Sequence, residues 1–239
     1  MSATRGLRVA VLLGLLIGAA TWSVQAAAIN LTSQAFTPYR TCTITATPAT
    51  TTAVIDTTVR QATAGSNFGT LTSLTVSSAS AANQRVYLKF DLSLCNPALP
   101  ASATVRVATL RLYLTAVPAA CRTIDIFAVT SAWTETGVTW TSQPFGTTIN
   151  NPATGSRTGS FNAGTPAGCQ NQAANAYAAG AVVTTDVARF VVGTASNFGW
   201  MLRDDAEGSS TTRTTTFASK ELGTITQDPQ LIVTYVVVP

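Results

Sequence analysis

Trp133, Glu135 and Trp140 stand in the run SAWTETGVTW (131–140), where two indole rings bracket one carboxylate. Indole faces stack on pyranose rings, and a carboxylate accepts hydroxyls or moves protons, so these types together are the makings of a sugar site. The same types also serve architecture, with the tryptophans in an all-β core and Glu135 and Thr139 satisfying loop backbone groups. An odd spacing would turn the two rings to opposite faces of one regular strand. Gly137 between them marks a turn that brings both inward. The architectural reading is the stronger.

Catalytic constellations are harder to find. Glycoside hydrolysis with two carboxyls needs them about 5 to 9.5 Å apart in a cleft. The ten acidic residues form many pairs, and no motif singles one out. Asp204, Asp205 and Glu207 lie together but read as a solvated turn after a strand. His is absent, which removes Ser-His-Asp chemistry. With no Cys-x-x-Cys pair either, the chain has no zinc ligand set. The expected protein is not an enzyme.

The more promising constellation lies on alternating strand positions. In RVYLKFDLS (85–93), Val86, Leu88, Phe90 and Leu92 share one face while Arg85, Tyr87, Lys89 and Asp91 share the other. ATLRLYLTAV (108–117) sets Leu110, Leu112 and Leu114 against Arg111 and Tyr113, and TIDIFAV (123–129) sets Ile124 and Ile126 against Asp125 and Phe127. If these strands share a sheet, Arg85, Tyr87, Lys89, Arg111, Tyr113 and Phe127 place cations beside aromatic rings. Such a face suits an acidic polysaccharide, since guanidinium pairs carboxylates while rings stack on sugar. The alternative is that Lys89 and Arg111 pair with Asp91, Asp125 or Glu221 inside the protein.

These side chains need a β framework. Period-2 alternation runs along the chain, QLIVTYVVV (230–238) forms a β-branched terminal strand, and Pro and Gly punctuate the gaps. Only TTDVARFVVG (184–193) has helical spacing, giving one short helix near 185–192, capped by Thr185 or Asp186 and closed by Gly193. Residues 150–179, rich in Asn, Gly and Ala, read as a long surface excursion. The fold class is all-β, a jelly-roll-like antiparallel β-sandwich.

Arg5 and Arg8, an apolar run and small residues around Ala26 describe a signal peptide over 1–26, too short to span a membrane. Residues 27–54 form an N-terminal arm or additional strands, and 55–239 the sandwich domain. The mature chain is then secreted, at the cell surface or extracellular. Its formal charge falls from +4 to +2, and without a basic cluster no nucleic acid partner is expected. Cys42, Cys95, Cys121 and Cys169 suit two disulfides, with three connectivities. Cys95 with Cys121, flanking one strand, is the favoured pairing.

Seven stretches in this order resemble the bacterial and archaeal DNRLRE-type domain, also grouped as a carbohydrate-binding module of the alginate-binding kind. They are DTTVRQATAGSNFGTLTSLTV (56–76), VYLKFDLS (86–93), ATVRVATLRLYLTAV (103–117), TIDIFAVTSAWTETGVTWTSQP (123–144), VVTTDVARFVVGTASNFGWMLRDD (182–205), TFASKE (216–221) and PQLIVTY (229–235). The resemblance implies a jelly roll akin to the propeptide fold of the TGF-β class. The four cysteines and the insertion around Cys169 depart from the family pattern, as does Lys220-Glu221 in place of Arg-Glu. No cofactor is expected beyond a structural calcium ion, whose family-matched oxygen donors are Asp56, Asn67 and Asp186. The partner implied is a polysaccharide or cell-surface component. The rival class is a structural subunit of an extracellular fibre, sheath or surface layer. It would self-associate through the Thr-rich arm Ala28–Ala53 or the C-terminal strand.

Overall fold

The computed structural model describes residues 37–166, 169, 174–177 and 181–237. The signal-like segment 1–26 and the arm up to residue 36 lie outside the described residues. In chain order the strands are β1 (Arg40–Ile44), β2 (Val54–Arg60), β3 (Ser73–Ser78), β4 (Gln84–Phe90), β5 (Ala103–Arg111), β6 (Tyr113–Ala116), β7 (Arg122–Ala128), β8 (Gly159–Ala163), β9 (Ala176–Tyr177) and β10 (Ala181–Val182). One helix, α1 (Thr184–Val191), precedes β11 (Trp200–Asp204), β12 (Arg213–Ala218) and β13 (Gln230–Val237).

Two antiparallel sheets form the expected sandwich. The smaller runs β1-β13-β5-β10, and the larger β8-β7-β11-β4-β3-β12-β6-β9 with β2 also paired to β4. Between them lies the main core, in which Leu88, Leu110, Leu202, Phe217 and Val233 are almost fully buried. These are the apolar halves of the alternating strands, each contributing about 1.5–3 kcal/mol by leaving water. Helix α1 adds Val187, Phe190 and Val191 to that core, and Phe190 packs on Trp200 at 5.7 Å between ring centroids. Neither Thr185 nor Asp186 caps it: the cap position is Val183, and the Asp186 carboxylate accepts from Trp200 Nε1 and Thr158 Oγ1. Gly193 takes the left-handed conformation after the helix, as its sequence position requires.

A second core lies on the opposite side of the larger sheet. Tyr87, Phe127 and Met201 point outward from β4, β7 and β11 and are covered by Trp133, Val138 and Trp140. Residues 129–152 thus make an irregular roof over the central strands. Both faces of this sheet are buried there.

The disulfides join Cys42 to Cys95 and Cys121 to Cys169, correcting the pairing favoured from sequence. β4 and β7 run parallel on either side of β11, so Cys95 beyond the C-terminal end of β4 and Cys121 before the N-terminal end of β7 lie at opposite ends of the sheet. Cys42–Cys95 instead ties β1 to the segment after β4. Residues 40–44 of the arm are therefore a strand of the domain itself, paired along β13.

Candidate functional site

Arg85 shows why the alternating polar face is not a platform. Its side chain and that of Glu207 are 0% exposed, paired through Nε–Oε1 at 2.7 Å and Nη2–Oε2 at 2.8 Å. The remaining guanidinium hydrogens reach Gln143 Oε1 and the carbonyls of Gly146 and Thr148, and the group lies 4.7 Å from the Trp140 ring centroid. Tyr87 donates to Gln143 Oε1 at 3.0 Å, and burial raises its phenol above the ordinary range. Phe127 meets Phe145 edge-on at 6.4 Å between ring centroids, and the Arg203 guanidinium stands 5.0 Å over its ring. Arg85, Tyr87 and Phe127 therefore clamp the roof onto the sheet and present no surface to a ligand. Nor is Asp204-Asp205-Glu207 a solvated turn, because Asp204 holds Arg122 and Glu207 holds Arg85.

The tryptophans of the opening motif belong to the same roof. Trp133 packs edge-on to Tyr87 and donates to the Phe198 carbonyl, while Trp140 is buried over Arg85. Glu135 sits where several distant segments are knotted together. Its Oε1 accepts from the Asp56 N–H at 2.7 Å and from the Lys220 ammonium at 2.9 Å. Asn67 donates to the carbonyls of Glu135 and Val138, and Gly69 approaches so closely that a Cβ would lie 2.4 Å from the Glu135 carbonyl oxygen.

This knot also tests the calcium donors. Asp56 and Asn67 meet around Glu135, but Asp186 is not among the acids gathered there, and its Oδ2 accepts from Trp200 and Thr158. The acids that do converge are Asp56, Glu135 and Glu221, with carboxylate oxygens within 4.8 Å of one another. Lys220 already supplies their cation, bridging Glu135 and Glu221. Asp56 accepts from Ser219 Oγ and from the Lys220 N–H, and burial followed by the Glu221 charge raises its carboxyl well above the usual range. Calcium takes six to eight oxygens. A set satisfied by an internal ammonium and protein hydrogens does not fit that demand.

Arg111 and Tyr113 have a different environment. The chain passes from β5 to β6 at Leu112, leaving both half-exposed. Tyr113 pairs with Tyr177 across β6 and β9, their rings edge-on at 5.4 Å, and the Arg111 guanidinium stands 4.5 Å over the Tyr177 ring. Arg111 also reaches Gln230 Oε1 at 3.4 Å. Among the described residues no carboxylate pairs with Arg111, nor with Lys89, which lies apart beside Ile55 and Asn197. Asp125 is taken by Arg157 and Arg203.

Tyr177 was not visible as a site residue from sequence. Its one signal was a large aromatic among Ala, Asn and Gly in the excursion. The result is a ledge of one guanidinium and two phenol rings, able to pair an anion and stack a sugar at once. Beside it lies a cavity of roughly 270 Å³ whose walls include Pro48, Lys220, Glu221, Ile225 and Asp228. The two meet at Asp228, whose carbonyl accepts from Tyr177 Oη at 3.0 Å.

No curated protein shows significant similarity to the chain. A model of carbohydrate-binding module family 96 matches residues 47–235, taking in most of the main core, the roof, the Glu135 knot and the ledge. With four-fifths of its length matched from the turn after β1 to the terminal strand, the chain belongs to carbohydrate-binding module family 96.

Proposed function

We propose that the chain is a secreted, non-catalytic module that binds acidic polysaccharide of the alginate-like, uronate class at the cell surface or in extracellular matrix. Arg111, Tyr113 and Tyr177 are its contact ledge. The observation that carries this is Arg111 itself, a half-exposed guanidinium over an aromatic ring with no acid of the described residues to neutralise it. A uronate carboxylate supplies the missing anion, and the phenol rings take the apolar face of the sugar. Membership of a carbohydrate-binding family supports the ligand class, and the two disulfides suit an oxidising compartment.

Affinity electrophoresis through gels containing alginate, pectin, xylan or cellulose tests this, each with calcium and with chelator. Retardation by the uronate polymers alone is expected, with Arg111→Ala and Tyr177→Ala each reducing affinity at least about tenfold while the circular dichroism is kept. Equal migration in all gels would sink the proposal.

The fibre-subunit reading keeps one observation in its favour: within the described residues β1 is an edge strand, paired only to β13. Donation of that arm to another copy is less favoured by its own geometry, since β1 is already paired and stapled through Cys42. Sedimentation at rising concentration separates the two, because a fibre subunit grows without any glycan.

A further inference from the structure

Among the described residues, four guanidinium groups stand over aromatic rings. Those of Arg85 and Arg203 are fully buried and face the carboxylates of Glu207 and Asp125. The other two, Arg111 over Tyr177 and Arg60 over Phe68, are half-exposed and pair with no acid of the described residues. Arg60 ends β2, and its guanidinium carbon lies 4.2 Å from the Phe68 ring centroid. Burial lowers its pKa below the ordinary value, with no carboxylate to counter it. Its Nε is buried without a partner. Nη1 and Nη2 also bond nothing among the described residues, but they are not buried, so their hydrogens stay open to an incoming group. A guanidinium drawn partly out of water without a counter-charge is costly, and is kept where an anion uses it.

The loop that carries the ring is held in place. The Ala64 carbonyl accepts from Thr141 N–H and Oγ1, and Asn67 donates to the carbonyls of Glu135 and Val138. Residues 61–68 are thus fastened to the roof on both sides of Gly65. A Cβ at Gly65 would meet nothing within 4 Å, so the tip of the loop is uncovered. A contact built on such a pinned loop loses little freedom on binding.

We propose that Arg60, backed by Phe68, is a second contact for acidic polysaccharide, pairing a uronate carboxylate through Nη1 and Nη2. It rests on the polysaccharide reading above and adds that one module grips the polymer at two places. Phe68 shields the guanidinium from water on one side, which strengthens its pairing with an anion on another. The two contacts are distinct in the fold. Arg60 lies on β2, paired to β4, whereas Arg111, Tyr113 and Tyr177 lie on β5, β6 and β9, none of which pairs with β2 or β4. Once a long chain is held at one contact, the other meets it at a raised effective concentration, so loss of either weakens retention by polymer more than it weakens binding of a short oligosaccharide.

The test is an NMR titration of a uronate tetrasaccharide into wild type, Arg111→Ala, Arg60→Gln, Arg60→Lys and the Arg60→Gln, Arg111→Ala double variant, in chelator at neutral pH, alongside gel retardation by the polymer. With the ledge removed by Arg111→Ala, the Arg60 Nε–H signal and the amides of residues 61–68 should still shift as the tetrasaccharide is added. Arg60→Gln should abolish the response of that loop while the amides around Tyr113 and Tyr177 keep theirs. Retardation by polymer should fall about tenfold in each single variant and vanish in the double variant. Arg60→Lys keeps the charge and the fold but loses the two-pronged geometry, so the loop should respond about tenfold more weakly. An undiminished response there would overturn the paired-carboxylate assignment, as would an equal response of wild type to neutral xylotetraose. A wild type that responds at the ledge but not at residues 61–68 would overturn the second contact and leave the ledge standing. Absence of any response to tetrasaccharide, with polymer gels that do not retard the wild type, would overturn both together.

Discussion

Five hydrogen bonds leave the guanidinium of Arg85, two to Glu207 and three to the roof segment at Gln143, Gly146 and Thr148. Removing one partner of a fully buried pair strands the other charge, at a cost of about 3–5 kcal/mol. Arg85→Ala is expected to lose that much in urea denaturation, and a loss below about 1 kcal/mol would mean the pair does not hold the roof. Asp228 gives a prediction with the opposite sign. Its carboxyl titrates near 6 in the folded chain and near the ordinary Asp value when unfolded, so the folded state binds the extra proton between about pH 4 and 6. Stability therefore falls as pH rises through that window, and the penalty is complete above it. Asp228→Asn should raise the melting temperature by a few degrees at about pH 7.5 and leave it unchanged near pH 4. An equal shift at both values would assign the effect to packing instead of charge.

At the scale of elements, the roof is the decisive piece. Residues 129–152 contain no strand and no α-helix, yet side chains pin them as firmly as a ladder would. Trp140 covers Arg85, Trp133 packs on Tyr87, and Gln143 receives both Tyr87 Oη and Arg85 Nη1. Trp140→Ala removes a buried indole from this layer and should cost about 3–5 kcal/mol. Limited proteolysis should then cut within 129–152 before elsewhere. Cleavage that begins in other loops at the wild-type rate would show that the roof does not depend on this ring. The Glu135 knot is a comparable joint, gathering β2, the turn at Asn67 and the Ser219–Glu221 segment without any regular pairing among them.

Across the whole molecule, the two disulfides close loops of similar size, spanning 53 and 48 positions. Loop-closure entropy assigns each about 4 kcal/mol. Replacing Cys42 and Cys95 together by Ala should lower stability by roughly that amount in denaturant titration, because the pair anchors an edge strand to the core. A change under about 1 kcal/mol would mean that the β1–β13 pairing suffices alone. The glycan test separates from all of these, since the ledge lies apart from the roof and uses none of its clamping residues.

Alternation in the sequence marked the strands around 85–93, 108–117, 123–129 and 230–238 and the apolar residues they turn between the sheets, helical spacing marked the helix at 184–191, and together they led to the expectation of a sandwich. Those are local properties: a period of two marks two faces of a strand wherever the strand ends up. The architectural role of Trp133, Glu135 and Trp140 was legible as well, through their odd spacing about Gly137. Only the tertiary structure decided which polar face meets water. Arg85 and Tyr87 alternate with Val86 and Leu88 as Arg111 and Tyr113 do with Leu110 and Leu112, yet the first pair is roofed and the second half-exposed. An aperiodic segment gives no signal that it will cover a sheet, and the acid that neutralises Arg85 lies 122 positions away. Burial of a charge depends on such distant partners, and so do the disulfide pairing, the arrival of Tyr177 beside Arg111 and the orphaned oxygen of Asp228.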